Sequence, residues 1–369
     1  MNNPRILMLS LSYWNAISDH YKIDPSLRNS DINFGIGFYL NKAFIRNGWD
    51  SNHFFLNDLI AQKSWLRKYA PNRTVETTII KFLNYDPAND FTKAKKLFHY
   101  LVGWAIARVQ ILYYKPDIIW FFGPAHIPPQ LLSTIPNSTK IFKIAHISSQ
   151  LPNMDWFKNY NLMLSSQNIH VTKWRENNYC AKLFKPAVDL DECRSLDWES
   201  RRFNISFVGS ITPDHAKRLD YLERLSSQFE IQLNGPGVEL IPDQSNLKNK
   251  WHAPLWGKDL FNLFANSKIS LNIHVDSSPT ESANVRLLET TGCGSLLLTE
   301  NSPNLHEYFS ENEVVSYNSF FDLENKIKFL RSNDKYAKEV AARGRQKTLS
   351  AHTYDNRVSE ISKTLLNSI

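Results

Sequence analysis

Two glutamates, Glu281 and Glu289, stand eight positions apart in the stretch ESANVRLLETTGCGSLLLT, which continues into a Gly-Cys-Gly turn and an apolar run. It reads as a short helix with one carboxylate just before it and the second inside it. A carboxylate accepts two hydroxyl hydrogen bonds at once, and the free N–H groups of a helix start attract a diphosphate. The pattern therefore suits a ligand that combines a sugar diol with phosphate. It suits equally a surface helix with an exposed glutamate and an ordinary C-terminal glycine. Asn284 and Arg286 lie between the carboxylates, and Gly292 and Gly294 would let the helix end tightly beneath a ligand.

Other residues could do related chemistry. The stretch FVGS closes an apolar run at Gly209 and Ser210, and Lys217 and Arg218 follow on a predicted helix. A glycine turn before a helix N-terminus offers backbone N–H groups to phosphate, and an arginine fork matches phosphate oxygens. A simple strand-to-helix turn has the same appearance. His126, in GPAHIPP, and His146, in IAHISS, sit at the ends of predicted strands. Either could act as a base or hold a sugar hydroxyl, although a lone histidine is more often structural. FGIG, from Phe34 to Gly37, opens a helix but lacks the third glycine of a dinucleotide fingerprint. Asp189 and Asp191 have the spacing of a metal-binding acidic pair, yet they fall in a predicted linker where carboxylates are usually solvated. No metal and no cofactor is expected.

The elements that must position these residues follow from hydrophobic runs. RILMLSLSY, HFFL, PDIIWFFG, KIFKIAHIS and NLMLSS read as strands of a first sheet, with helices between them. FNISFVGS, IQLNG, ISLNIH and SLLLT read as strands of a second sheet. Strands alternating with helices imply doubly wound parallel sheets. A polar, proline-containing stretch near Val188 separates them, which predicts domains over 1–188 and 189–352. The last segment, 353–369, reads as an amphipathic helix. Ligands in such sheets bind at the carboxyl ends of the strands and in clefts between domains.

The whole chain sets bounds. Its 369 residues exceed what one core usually serves, and a hydrophobic share of 42% fits a globular protein. Lys and Arg outnumber Asp and Glu by 43 to 36, which suits an anionic small substrate or an anionic membrane surface. Three cysteines in no zinc pattern point to a reducing, cytoplasmic setting. The N-terminus reads as a strand rather than a signal peptide, and no apolar run reaches the length of a membrane span. The basic helix from Lys93 to Tyr114 carries aromatics and could touch a membrane.

The C-terminal half resembles glycosyltransferases of the GT-B fold, in the group-1-like branch that includes spore-maturation-type proteins. FVGS with Arg218, then ISLNIH, NVRLLETTGCGSLLLTENSPNLHEYF and RGRQKTLSAHTYDNRV carry the resemblance over about 150 residues. It implies an α/β architecture of two Rossmann-like doubly wound domains facing a central cleft, with the final helix packing back on the N-terminal domain. It implies transfer of a sugar from a nucleotide-sugar donor to a saccharide or lipid-linked acceptor in bacterial cell-surface glycan assembly. The donor would be bound by Gly209, Ser210, Arg218, Asn284, Arg286 and Glu289, with His146, His126 and Glu281 as candidate catalytic groups. In such enzymes the second glutamate of this spacing holds the ribose hydroxyls, and the first lies near the donor sugar. The family's Gly-Phe-Gly-like turn is Ser-Ala-Asn-Val here, and Asn284 and Arg286 would then take over part of the first glutamate's role. The resemblance implies a retaining, metal-independent enzyme in the cytoplasm with a peripheral inner-membrane contact and no nucleic-acid partner. A nucleotide-sugar epimerase of the same architecture and a non-catalytic nucleotide-sugar-binding protein are the alternatives.

Overall fold

A computed structural model describes residues 4–11, 35–69, 92–123, 129–135, 138–149, 151–198, 200–274 and 284–369. The chain divides into two compact units, Met1–Lys185 with Val358–Ile369, and Pro186–Arg357. Each is built on one all-parallel sheet of six strands.

In the first unit the strands are β1 (Arg5–Ser10), β2 (Asp50–Phe55), β3 (Ile118–Phe122), β4 (Phe142–His146), β5 (Leu162–Ser165) and β6 (Ala181–Leu183). Their order is β2-β1-β3-β4-β5-β6. IIWFF of β3 and LMLS of β5 are buried at every position, as expected where helices cover both faces of a parallel sheet. The principal helices are α1 (Ile36–Arg46), α2 (Leu59–Tyr69), α3 (Thr92–Tyr114) and α4 (Asn168–Glu176). Trp104, Ala107 and Ile111 of α3 join Leu7, Ile119 and Phe121 of the sheet in one core.

The second unit holds β7 (Phe203–Val208), β8 (Ile231–Asn234), β9 (Trp251–His252), β10 (Ser267–Asn272), β11 (Leu296–Glu300) and β12 (Val315–Tyr317). Their order is β12-β11-β10-β7-β8-β9. Around them lie α5 (Ala216–Ser226), α6 (Gly257–Ala265), α7 (Val285–Gly292), α8 (Phe320–Ser332) and α9 (Asp334–Ala351). The last helix, α10 (Tyr354–Leu366), begins in this unit and continues into the first.

Both strand orders reverse direction once. In the first sheet the chain runs from β1 outward to β2, then returns to β3 on the other side of β1. In the second it runs from β7 to β8 and β9, then returns to β10 beside β7. Helices leave neighbouring strands on opposite faces at such a reversal, and a crevice opens at their carboxyl ends. For the second unit that place is where β7 and β10 end, at Val208 and Asn272.

Candidate functional site

Beyond β7 the chain does not turn away at once. Gly209 N–H donates to the Asn234 carbonyl at 3.0 Å, and Ile211 N–H to the Pro236 carbonyl at 2.9 Å. The segment 209–211 thus continues alongside the Gly-Pro-Gly turn that follows β8. This approach requires glycine. A Cβ on Gly235 would lie 1.9 Å from the Gly209 oxygen, and one on Gly237 would lie 2.1 Å from the Ile211 oxygen. Gly237 also has φ +99°, a region in which side chains are strained. The Gly209 N–H is therefore occupied within the fold, whereas the sequence reading offered it to phosphate.

Arg218 of α5 is 6% exposed. Its Nη1 donates to the Ser210 carbonyl at 2.6 Å and its Nη2 to the Ile273 carbonyl at 2.7 Å. The guanidinium also lies 5.6 Å from the Phe207 ring centre. Arg218 spans the ends of β7 and β10, the two strands at the crevice. The fork that the sequence reading aimed at phosphate grips backbone carbonyls, and the positive charge stays fixed beside the crevice. Its neighbour Lys217 pairs with Glu300, the last residue of β11, at 2.5 Å. The other Glu300 oxygen accepts from the backbone N–H of His274 at 3.3 Å.

The start of α7 is anchored to the same strand ends. Asn284 is its N-cap, accepting from Arg286 N–H at 2.9 Å, which satisfies one of the free donors of the helix start. The Asn284 amide donates to Asn272 Oδ1 at 3.3 Å, and Asn272 donates to Thr299 Oγ1 at 2.9 Å. One turn on, Arg286 Nη1 meets Glu289 Oε2 at 2.6 Å, with side chains 22% and 16% exposed. The Arg286 guanidinium lies 5.4 Å from the Phe264 ring centre. Asn284, Arg286 and Glu289 thus form one linked group, and Arg218 and Ser210 form another at the end of β7.

Other expectations change. Gly292 and Gly294 serve packing: a Cβ on Gly292 would meet Cys193 Sγ at 3.1 Å, and one on Gly294, at φ +91°, would meet Trp198 at 2.7 Å. Asp189 is not solvated. It is wholly buried and caps the short helix Leu190–Arg194 by accepting from Glu192 N–H at 3.2 Å. Among the described residues no group of His, Cys, Asp or Glu is placed to hold a metal ion.

His146 ends β4 in the first unit, inside an aromatic cage of Trp120, Phe122 and Phe184. Burial pushes its pKa down to about 3, so it is a neutral core imidazole near pH 7 and a poor base. His126 and Glu281 lie outside the described residues, as does Phe34 of the FGIG turn. Gly37 from that turn packs closely, since a Cβ there would lie 2.9 Å from His53 Nε2. His53 Nε2 in turn meets Ser10 Oγ at 2.7 Å.

His274 and Glu300 were not singled out in the sequence, although strand-end position, the criterion applied to His126 and His146, would have found both. Gly235 and Gly237 were also missed, although Gly-Pro-Gly after an apolar run signals a close turn.

Comparison with known proteins places this geometry. Residues 215–363 match the family described as Glycosyl transferase-like. None of the curated proteins matches the chain by sequence. Solved structures do match it in fold along essentially the whole length. Sucrose-phosphate synthase from Thermosynechococcus elongatus shares 12% identity at a TM-score of 0.62, covering 100% of both chains. A glycosyltransferase from Rickettsia africae shares 15% at 0.60, again covering 100% of both. HepE of Anabaena, solved in complex with UDP and glucose, shares 12% at 0.58, covering 99% of each. At these identities the likeness is one of fold. The architecture is GT-B, an α/β arrangement of two parallel doubly wound sheets. The matched segment, 215–363, lies mostly in the second unit and ends within α10.

Proposed function

We propose that this protein is a glycosyltransferase that takes a sugar from a nucleotide-sugar donor and passes it to a saccharide or lipid-linked acceptor in bacterial cell-surface glycan assembly. One observation carries the donor half of this reading. Arg218 and Lys217 lie at the carboxyl ends of β7, β10 and β11, and Asn284, bonded to Asn272 at the end of β10, starts the helix that carries the Arg286–Glu289 pair, all within the segment that matches a glycosyl transferase-like family. A nucleotide sugar needs this mixture: a carboxylate for the ribose hydroxyls and fixed positive charge for the diphosphate.

In this reading Glu289 accepts from the ribose hydroxyls, while Arg286 holds its carboxylate in place. As the bond to the sugar breaks, negative charge grows on the departing diphosphate. The preset charges of Lys217, Arg218 and Arg286 stabilise it without a metal ion. Retention of anomeric configuration is the proposed outcome, on the resemblance around Glu281 and Glu289. The first unit is assigned the acceptor. Its α2 and α3 carry seven Lys or Arg and no acidic residue. Leu101, Leu112 and Tyr113 of α3 are exposed. Together these features suit a peripheral contact with an anionic membrane surface on the cytoplasmic side. Among the described residues no helix is long and apolar enough to cross a membrane.

The test is turnover with a panel of UDP-, GDP- and dTDP-sugars. Slow donor hydrolysis, accelerated by an acceptor extract, supports the transferase. A converted donor sugar would indicate an epimerase, and binding without turnover a non-catalytic protein. The anomeric coupling constant of the product, read by proton NMR, decides between retention and inversion.

A further inference from the structure

A depression of about 730 Å³ lies along β12, an edge strand of the second sheet. Small-molecule sites commonly have volumes of about 300–1,000 Å³. Its lining begins at Asn301, directly after the last residue of β11, and takes in the loop before β12 and Tyr336 of α9. The apolar part of the lining includes the buried Phe309 and Val314 and the exposed Tyr336. The Tyr336 ring packs against Phe329, with ring centres 5.5 Å apart and planes at 70°, which fixes how the ring is presented.

Beside this apolar surface stand polar groups that the fold leaves uncommitted. Asn301 Nδ2 donates to Asn318 Oδ1 at 3.0 Å, joining the residues that follow β11 and β12. That leaves Asn301 Oδ1 as an acceptor and Asn318 Nδ2 as a donor on adjoining amides, and among the described residues neither has a further partner. Charge argues against an anionic ligand. Lys326 donates to the Ser316 carbonyl and pairs with Asp322 at 2.9 Å, while Glu311 adds a negative charge to the lining. The Lys326 bond also occupies an acceptor of the edge strand, which hinders addition of a further strand. A neutral saccharide answers to these features. Each of its hydroxyls both donates and accepts, so two neighbouring hydroxyls satisfy an acceptor and a donor held together. The C–H face of a pyranose is apolar and slightly positive, and it packs on the electron-rich face of an aromatic ring.

We propose that this depression is a saccharide-binding site that holds a neutral oligosaccharide on the second unit, with Tyr336 as its stacking platform and Asn301 and Asn318 bonded to adjacent hydroxyls. None of the residues assigned to the donor lines it, and the binding itself does not depend on the transferase reading. Its lining starts one residue beyond Glu300, the partner of Lys217 at the crevice. A glycan chain held there is kept close to the donor site, which raises the effective concentration of its ends.

The experiment uses the full chain. An array of neutral gluco-, galacto-, manno-, rhamno- and N-acetylglucosaminyl oligosaccharides is probed, and the best ligand is titrated by NMR against the parent, Tyr336→Ala, Tyr336→Phe and Asn318→Ala. Tyr336 is exposed, so its truncation spares the core, and equal urea midpoints verify this. The expected result is at least a tenfold weaker dissociation constant in Tyr336→Ala and a severalfold weaker one in Asn318→Ala. Tyr336→Phe, which keeps the ring, should stay within about threefold of the parent. UDP, GDP and dTDP should not displace the oligosaccharide. An array without a ligand overturns the assignment, as does an affinity in Tyr336→Ala within threefold of the parent. An equal loss in Tyr336→Phe removes the stacking platform and overturns it too. Displacement by a nucleoside diphosphate would put the saccharide in the donor crevice, which overturns this site while leaving the transferase reading intact.

Discussion

At the scale of single residues, the partly buried Arg286–Glu289 pair carries the clearest consequence. Truncating Glu289 removes a ribose acceptor and frees the arginine it orients. Glu289→Ala should weaken binding of the nucleotide sugar by about 1–3 kcal/mol, the cost of lost charge-assisted hydrogen bonds. Calorimetry checks this, and an unchanged dissociation constant would take Glu289 out of the site. His146 makes a prediction about pH. Its folded-state pKa is about 3, against an ordinary value of 6.5. Between those values the unfolded chain binds a proton that the folded chain refuses. The contribution is therefore fully present above about pH 6.5 and is lost as pH falls toward 3. From pH 7 to 5 the parent protein should lose about 2 kcal/mol more stability than His146→Leu, measured by urea unfolding. Parallel curves would show that His146 is not a buried neutral imidazole. The sequence placed Asn284, Arg286 and Glu289 correctly on one short helix, because three residues within six positions share a local frame. It could not show that Arg218 grips Ser210 and Ile273, since that contact depends on β7 and β10 lying side by side across about 60 residues of chain.

At the scale of elements, most strands were legible because both faces of a parallel sheet are apolar. RILMLS, IIWFF and LLLTE declare themselves as short unbroken runs. The two-residue strand β9 is too short to leave such a run. The close passage of 209–211 beside 235–237 was hidden for another reason: what matters there is the side chains that are missing. Gly237→Ala should destabilise the protein by about 1–3 kcal/mol through positive φ and collision with the Ile211 oxygen. It should also weaken nucleotide binding by shifting Ser210. Gly48→Ala is the matched control. Its φ is +81°, but no atom of the described residues lies within 4 Å of the added Cβ, so it should cost only about 1 kcal/mol and leave binding unchanged. Equal effects in the two variants would remove the steric argument. For α2 and α3, exchanging exposed Arg67 and Lys68 for glutamate should lower co-sedimentation with phosphatidylglycerol vesicles severalfold. Added salt should weaken the parent's binding as well. Binding that ignores both changes would exclude an electrostatic surface contact.

At the scale of the whole molecule, the chain leaves and re-enters the first unit through paired segments. Val188 N–H donates to the His352 carbonyl and Tyr354 N–H to the Val188 carbonyl, each at 3.0 Å. Arg357, only 2% exposed, reinforces the junction through His352 Nδ1 at 3.0 Å and the Pro186 carbonyl at 3.3 Å. Beyond it, Val358, Ile361 and Leu365 are buried, and Thr364 accepts from Lys182 Nζ at 2.7 Å within the first unit. The amphipathic spacing of these aliphatic residues is visible in the tail, but the spacing does not say which unit they join; only the resemblance implied the N-terminal one, with which 358–369 are grouped. Burying three such side chains contributes on the order of 5 kcal/mol before ordering costs. Removing residues after Arg357 should therefore destabilise the first unit while sparing the second, whose own core includes Ile205, Leu233, Leu271 and Leu298. Hydrogen exchange followed by mass spectrometry reads the two units separately. Protection should fall in β4, β5 and β6 and persist in β7, β10 and β11, and the truncated protein should keep its nucleoside diphosphate affinity while losing transfer to acceptor. Uniform loss of protection, or loss of diphosphate binding together with transfer, would mean that the tail supports the second unit and that donor and acceptor functions do not separate along this boundary.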